Sequence, residues 1–273
     1  MTRYRKWKAT ALLLLALVLG ATDKSYAAQC GSTSAGFEAW KRQFADEAKE
    51  RGISAFAISS LMASNYSSAT IVADRGGGSF ELPLDQFLVK RGDAAIIARG
   101  RTLKQLNAAL FTSIQNQFGV PPGPLLAIWG LETGFGRSLG TQSVLSTVAT
   151  LAFDCRRSAY FTEQLNAALA LIDKGVLSVS ARGSLHGEIG QTQFLPKTVL
   201  EYGAGGNLDT PDNALTSTAN FLKGHGWIAG AGYQPGEPNF GVIQAWNTAS
   251  VYQRAIAIIG QRIDTDDGGQ VKR

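Results

Sequence analysis

Apolar residues recur every three or four positions along most of the chain. Phe37, Trp40, Phe44 and Ala48 keep this spacing among Lys41, Arg42, Asp46, Glu47 and Lys49, which predicts an amphipathic surface helix over 35–51 closed by Gly52. Ser54 opens a shorter helix that runs through Met62. From Asn65 to Leu84 no period is visible, and Gly76-Gly77-Gly78 at its centre predicts an irregular segment with a flexible loop near a cleft. The period returns at Leu103, Leu106, Leu110, Ile114 and Phe118 and stops at Gly119. Val144 to Phe153, Tyr160 to Ile172, Asp212 to Lys223 and Val251 to Ile263 also read as helices, and no alternating run is long enough for a substantial strand. The chain is predicted to be mainly α.

One stretch departs from the amphipathic pattern. Pro121-Pro122-Gly123-Pro124 leads into Leu125 to Leu131, and Gly134 and Gly136 follow, so a short, almost wholly apolar helix is expected with prolines at its start and glycine at its end. Leu125, Ile128, Trp129 and Glu132 stand at i, i+3, i+4 and i+7, which puts the segment's one carboxylate on the face of its large apolar side chains. A carboxyl group among Ile128, Trp129 and Phe135 loses solvation of its charged form and keeps its proton near neutrality, as a general acid must. The structural alternative is a buried ion pair with Arg137, Arg156 or Arg157.

Charge changes the picture less than the net value of +5 suggests. Residues 1–27 have a basic start, an apolar run from Ala9 to Ala21 and a small-residue exit, the pattern of a cleaved secretory signal peptide. That segment carries five basic residues and one acid, so only +1 remains for residues 28–273 and nothing favours a nucleic-acid partner. Cys30 is preceded by Gln29 and lies far from the apolar run, which favours export as a soluble protein over lipid anchoring. In an oxidising compartment Cys30 and Cys155 are expected to pair, although a single pair has no spacing rule.

Other motifs carry less. Gly136-Arg137-Ser138-Leu139-Gly140 fits the G-x-S-x-G pattern of serine hydrolases, but a helix precedes the serine where that chemistry needs a strand. Two histidines and two distant cysteines offer no zinc spacing. The glycine run lacks the strand and the Lys-Ser or Lys-Thr end of a phosphate cradle. Gly183-Ser184-Leu185-His186-Gly187-Glu188-Ile189-Gly190-Gln191-Thr192-Gln193-Phe194-Leu195-Pro196 is more informative, since its glycines permit close approach and Ser184, Gln191 and Gln193 suit hydroxyl and acetamido groups.

Together these stretches resemble the B-type lytic murein transglycosylases. Residues 127–137 are similar to that family's first motif. They are followed in order by 149–154 with Arg156-Arg157 and Tyr160-Phe161, by 190–196, and by His225-Gly226-Trp227. The resemblance covers roughly 37–263 and implies a mainly α, lysozyme-like catalytic domain with a smaller helical subdomain around a glycan groove, in one catalytic region over 28–273. It implies that Glu132 is the catalytic acid, that Ser184 and Gln193 line sugar subsites, that Arg156, Arg157 and Tyr160 meet the substrate's peptide or sugar, and that Asn247 lies near the reaction centre; Gln191 joins the substrate-binding candidates on its own donors and acceptors. Trp246 stands where the family often has tyrosine, which puts a direct hydroxyl contact in doubt. The implied substrate is the peptidoglycan glycan strand, cleaved between N-acetylmuramic acid and N-acetylglucosamine in the periplasm by a monomer without cofactor, with cell-wall or secretion machinery as conceivable partners. Two departures stand out. Glu188 adds a carboxylate where small or apolar residues are usual, as a turn cap, a partner for His186 or a water-activating base. Residues 201–209 lack the alternating acids of a calcium loop, so no metal is expected.

Overall fold

The computed structural model describes residues 28–76 and 81–265. The expected signal peptide and most of the glycine run lie outside the described residues. Among those described are thirteen helices and one short strand pair: α1 (Phe37–Glu50), α2 (Ala55–Met62), α3 (Ser68–Arg75), α4 (Leu84–Arg91), α5 (Asp93–Leu106), α6 (Ala108–Phe118), α7 (Pro122–Thr133), β1 (Gln142–Ser143), α8 (Val144–Phe153), α9 (Ser158–Asp173), β2 (Arg182–Gly183), α10 (Pro196–Tyr202), α11 (Pro211–Gly224), α12 (Phe240–Trp246) and α13 (Ser250–Asp264). The strands pair antiparallel, Gln142 opposite Gly183 and Ser143 opposite Arg182. None of the described helices is long and apolar enough to cross a membrane.

Two expectations from the pattern are corrected. The segment expected to be irregular contains α3, which Ser67 starts by accepting the Thr70 N–H at 3.2 Å. Its buried side is only Thr70 and Ile71, too short a signal for periodicity to register. The apolar series from Leu103 to Phe118 is broken at Asn107, whose Nδ2 donates to the Leu103 carbonyl at 3.0 Å. This side chain competes with the helical ladder, so α5 ends and α6 begins in a new direction. Leu106 consequently faces water, 72% exposed, rather than extending one apolar stripe.

At the centre runs α7. A helix apolar on every side must be surrounded, and residues 123–131 are all buried against α13, α5 and α11. Small residues set how close these neighbours come. A Cβ on Gly123 would lie 2.3 Å from the Gly260 carbonyl of α13, and one on Gly130 would lie 2.4 Å from Ile96 of α5. The unpaired first-turn amides of α7 are also provided for. The Gly123 N–H donates to Asp264 Oδ1 at 2.8 Å, and the other oxygen of Asp264 accepts from Tyr233 at 2.8 Å. Gly134 in the left-handed region, φ 59°, ends the helix where the sequence predicts.

A second layer, α8 on α9 with α1 and α2 outside them, packs the aromatic group Phe37, Trp40, Tyr66 and Phe153. The expected Cys30–Cys155 disulfide is formed and ties the start of the described chain to the end of α8, beside the Gly31 to Phe153 hydrogen bond of 2.9 Å.

The close crossing yields a prediction. In an ordinary helix Gly→Ala gains about 1 kcal/mol of propensity. Here the methyl meets a backbone carbonyl that cannot move alone, and overpacking of that kind costs about 1–3 kcal/mol. Gly123→Ala should therefore lower the melting temperature in calorimetry, and an unchanged or raised value would contradict the packing described.

Candidate active site

Glu132 ends α7 at the wall of a groove of about 810 Å³, lined by residues from α3, α4, α7, α9, the 186–195 turn, α12 and α13. Its surroundings are largely apolar, and three groups meet the carboxyl. Trp246 Nε1 donates to Oε1 at 3.1 Å, the buried Tyr252 hydroxyl lies beside it, and Arg91 supplies a positive field. Burial is the largest effect and raises the pKa of Glu132 from the ordinary 4.5 to about 7. That value is the net result, to which the charge of Glu188 also contributes upward while Tyr252, Trp246 and Arg91 pull downward. Burial, and then the proximity of Glu132, also push the Tyr252 hydroxyl well above its usual value, so it stays a neutral donor.

The ion-pair alternative for Glu132 does not materialise. Arg137 turns its Nε to the Gly134 carbonyl at 2.9 Å, while Arg156 and Arg157 both close on Asp74, whose side chain is 3% exposed. Asp154 is likewise engaged, its carboxylate pairing with Arg75 at 2.5 Å and accepting the Arg156 N–H at 2.9 Å.

Most of the predicted residues converge on the groove. Arg156, Arg157, Tyr160, Gln193 and Asn247 line it together with Glu132 and Glu188. Tyr160 is half exposed there. Gln193 occupies the left-handed region at φ 58°, a conformation unusual for a side-chain-bearing residue, and its Nε2 holds the Gly190 carbonyl at 2.8 Å. Asn247 caps the turn before α13 by accepting the Ala249 N–H at 2.9 Å.

Two predicted residues stand elsewhere. Gln191 is buried behind the groove as a brace. Its Oε1 accepts the Trp129 indole N–H at 2.7 Å, its Nε2 donates to the Asp209 carbonyl at 2.7 Å, and its own carbonyl accepts from Thr133 at 2.6 Å. Buried and paired at both ends, this side chain is engaged in the wall behind the groove rather than among the residues that line it. Close approach explains Gly136, where a Cβ would lie 2.2 Å from Gln191 Oε1. Ser184 does not line the groove either. Its hydroxyl donates to Glu188 Oε2 at 2.7 Å and accepts the N–H groups of His186 and Glu188 at 3.1 and 3.2 Å. The partner of Glu188 is thus Ser184 and not His186.

Sequence reasoning missed Arg91 and Tyr252. Both belong to helices distant in the chain, α4 and α13, and no local pattern marks them. Trp246, expected to lack a hydroxyl contact, supplies an indole N–H instead. Among the described residues no group of three or more His, Cys, Asp or Glu is arranged to hold a metal ion.

Residues 36–236 match the family described as Transglycosylase SLT domain. The chain belongs to that family. Within this transglycosylase SLT family it is similar to membrane-bound lytic murein transglycosylase B of Escherichia coli, 36% identical over 137 residues that cover 45% of this chain and 38% of that protein. The chain thus aligns with well under half the length of that relative. Its structure is similar to SltB3 of Pseudomonas aeruginosa in complex with NAG-anhNAM-pentapeptide, with a TM-score of 0.76 and 25% identity, covering 84% of this chain and 79% of that one. The fold is also shared with the Escherichia coli lytic transglycosylase Slt35 in complex with bulgecin A, at a TM-score of 0.72 and 22% identity, covering 87% and 96% of the two chains. The lysozyme-like, mainly helical fold expected of the family is the one observed.

The two glutamines are predicted to behave oppositely. Gln191→Ala leaves buried donors and acceptors unpaired, which costs about 1–3 kcal/mol each, and should lower the melting temperature by several degrees. Gln193→Ala should leave the melting temperature nearly unchanged and reduce turnover. Thermal unfolding of both variants checks this, and equal losses would contradict the division.

Proposed function

We propose that the chain is a lytic murein transglycosylase, exported to the periplasm, that cleaves the glycan strands of peptidoglycan between N-acetylmuramic acid and N-acetylglucosamine. The observation that carries the reading is one carboxyl group, Glu132, withdrawn from water on the wall of a groove of about 810 Å³, with its pKa pushed up to about 7 and the Trp246 indole N–H on its Oε1. Membership of the transglycosylase SLT family and likeness to SltB3 bound to NAG-anhNAM-pentapeptide support the choice of substrate.

In this mechanism Glu132 donates its proton to the glycosidic oxygen as the bond to the anomeric carbon breaks, and the substrate's N-acetyl group stabilises the cation. Glu132, now ionised, accepts the proton of the 6-hydroxyl as that oxygen closes on the anomeric carbon. A 1,6-anhydro ring forms and no water is consumed. The attack is intramolecular, and well-oriented reactions of this type reach effective molarities of about 10⁵ M or more. Trp246 and Tyr252 orient the carboxyl and stabilise it in its ionised interval. Gln193, Arg156, Arg157, Tyr160 and Asn247 bind glycan or stem peptide along the groove. No metal or cofactor takes part.

Hydrolysis is the second reading, because Glu188 lines the same groove and glycosidases with two carboxylates can activate water. The products separate the two, since an anhydro end is lighter than a reducing end by one water.

Mass spectrometry of a murein digest is therefore predicted to give anhydro-muramyl fragments. Glu132→Gln should slow their release by about 100-fold or more with an intact fold, because an amide neither gives nor recovers a proton. A variant retaining over about a tenth of the rate would contradict the assignment of Glu132. Only the protonated form donates, so kcat/KM of the wild type should fall as pH rises through about 7. A rate that keeps rising to pH 9 would require a different proton donor.

A further inference from the structure

Three carboxylates line the groove among the described residues; Glu132 is the acid, Asp74 holds Arg156 and Arg157, and Glu188 is left without a task by the mechanism above. It is held in a built turn. The Ser184 hydroxyl donates to Oε2 at 2.7 Å, the Ser184 N–H donates to the Glu188 carbonyl at 3.0 Å, and Gly187 allows the turn at φ 82° with its backbone against Val148. The second oxygen, Oε1, has no hydrogen bond among the described residues, and no described cation comes within ion-pair distance. Two of the cations that line the groove, Arg156 and Arg157, are taken up by Asp74. Around Glu188 the groove carries Glu132 of α7, Tyr160 of α9, Tyr252 of α13 and His186 of its own turn, with Arg91 beyond them. Glu132, Tyr160 and Tyr252 line the same groove as Glu188 and all feel its charge.

A carboxylate fixed in position by Ser184, with no ion-pair partner among the described residues, is a charge that those residues do not neutralise. Departures of that kind concentrate where function uses them. The groove would complement a positive charge there, and the reaction produces one transiently, on the anomeric carbon and ring oxygen as the glycosidic bond breaks.

We propose that Glu188 is a second catalytic carboxylate, which meets the ring of the sugar being cleaved and stabilises its oxocarbenium-like transition state without accepting a proton or forming a bond. The proposal rests on the transglycosylase reading. Bonds and protons remain as in that mechanism. The C1 to leaving-group bond breaks, the proton of Glu132 goes to the leaving oxygen, the 6-oxygen bonds to C1, and its proton returns to Glu132. Glu188 begins and ends ionised. Ser184 is its positioning residue, since the serine hydroxyl fixes one oxygen and leaves the other toward the substrate. Glu188 also helps to keep Glu132 protonated, so one anion serves both the acid and the cation.

The test compares Glu188→Gln and Glu188→Asp with the wild type on purified murein, measuring kcat, KM, pH profile, products and melting temperature. Glu188→Gln should lower kcat roughly tenfold or more while KM stays within about twofold, the pattern of an interaction made only in the transition state. Its alkaline limb should move to lower pH, because a like charge beside Glu132 is gone. Glu188→Asp, which keeps the charge, should recover much of kcat, and anhydro products should persist throughout. An unchanged kcat in Glu188→Gln would overturn the proposal. Equal impairment of both variants with a lowered melting temperature would also overturn it and assign Glu188 to the shape of the turn. A reducing-end fraction present in the wild type and absent from Glu188→Gln would overturn it in favour of a water-activating base. Failure of the wild type itself to form anhydro ends would instead remove the transglycosylase reading.

Discussion

A carboxyl group at the end of a helix with no polar face is expensive to ionise, and the remainder of the structure is arranged around that cost. The apolar sides of α7 require neighbours all round, which α13, α5 and α11 provide. The same encirclement removes water from Glu132. What polarity remains is donated from α12 and α13, by Trp246 and Tyr252, in amounts that lower its pKa only part of the way back to the ordinary value. The residue is thereby suited to lose and regain a proton near neutrality, which no exposed glutamate would do.

The groove is built so that its arginines are engaged elsewhere than in an ion pair with that carboxyl. Asp74 holds Arg156 and Arg157 along one wall, Asp154 is joined to Arg75, and Arg137 caps its own helix end, so no guanidinium closes on Glu132 as an ion-pair partner. Had one done so, the carboxyl would have been held ionised and useless as an acid. Behind the groove Gln191 joins Trp129 of α7 to the 209 region, fixing the indole that shields the site. Polar residues here divide into those that shape the wall and those that face the substrate, and both kinds are glutamine, serine or arginine.

That division explains what could be read from the sequence. The α7 helix, its proline start, its glycine end and the inward direction of Glu132 follow from local spacing, and α8, α9, α11 and α13 fall within a residue or two of the expected limits, while the seven-residue α10 and α12 are too short for periodicity to show. The buried place of Gln191 was not legible because a glutamine in a glycine-rich turn looks the same whether its amide meets solvent or a buried indole. Asp74 lies in a segment whose period was too short to show a helix, so the true partner of the two arginines was invisible. Arg91 and Tyr252 reach Glu132 only through tertiary packing, and the 2.3 Å clearance that demands Gly123 exists only once α13 is in place.

The account stands on Glu132 holding its proton near neutral pH. Carbon-13 labelling of the glutamate carboxyls, with Glu132→Gln to assign the signal, allows its titration to be followed directly by NMR. The midpoint is predicted near 7, rising when Trp246→Phe removes a hydrogen bond to the ionised form. A midpoint near the ordinary 4.5 that does not respond to Trp246→Phe would contradict the account.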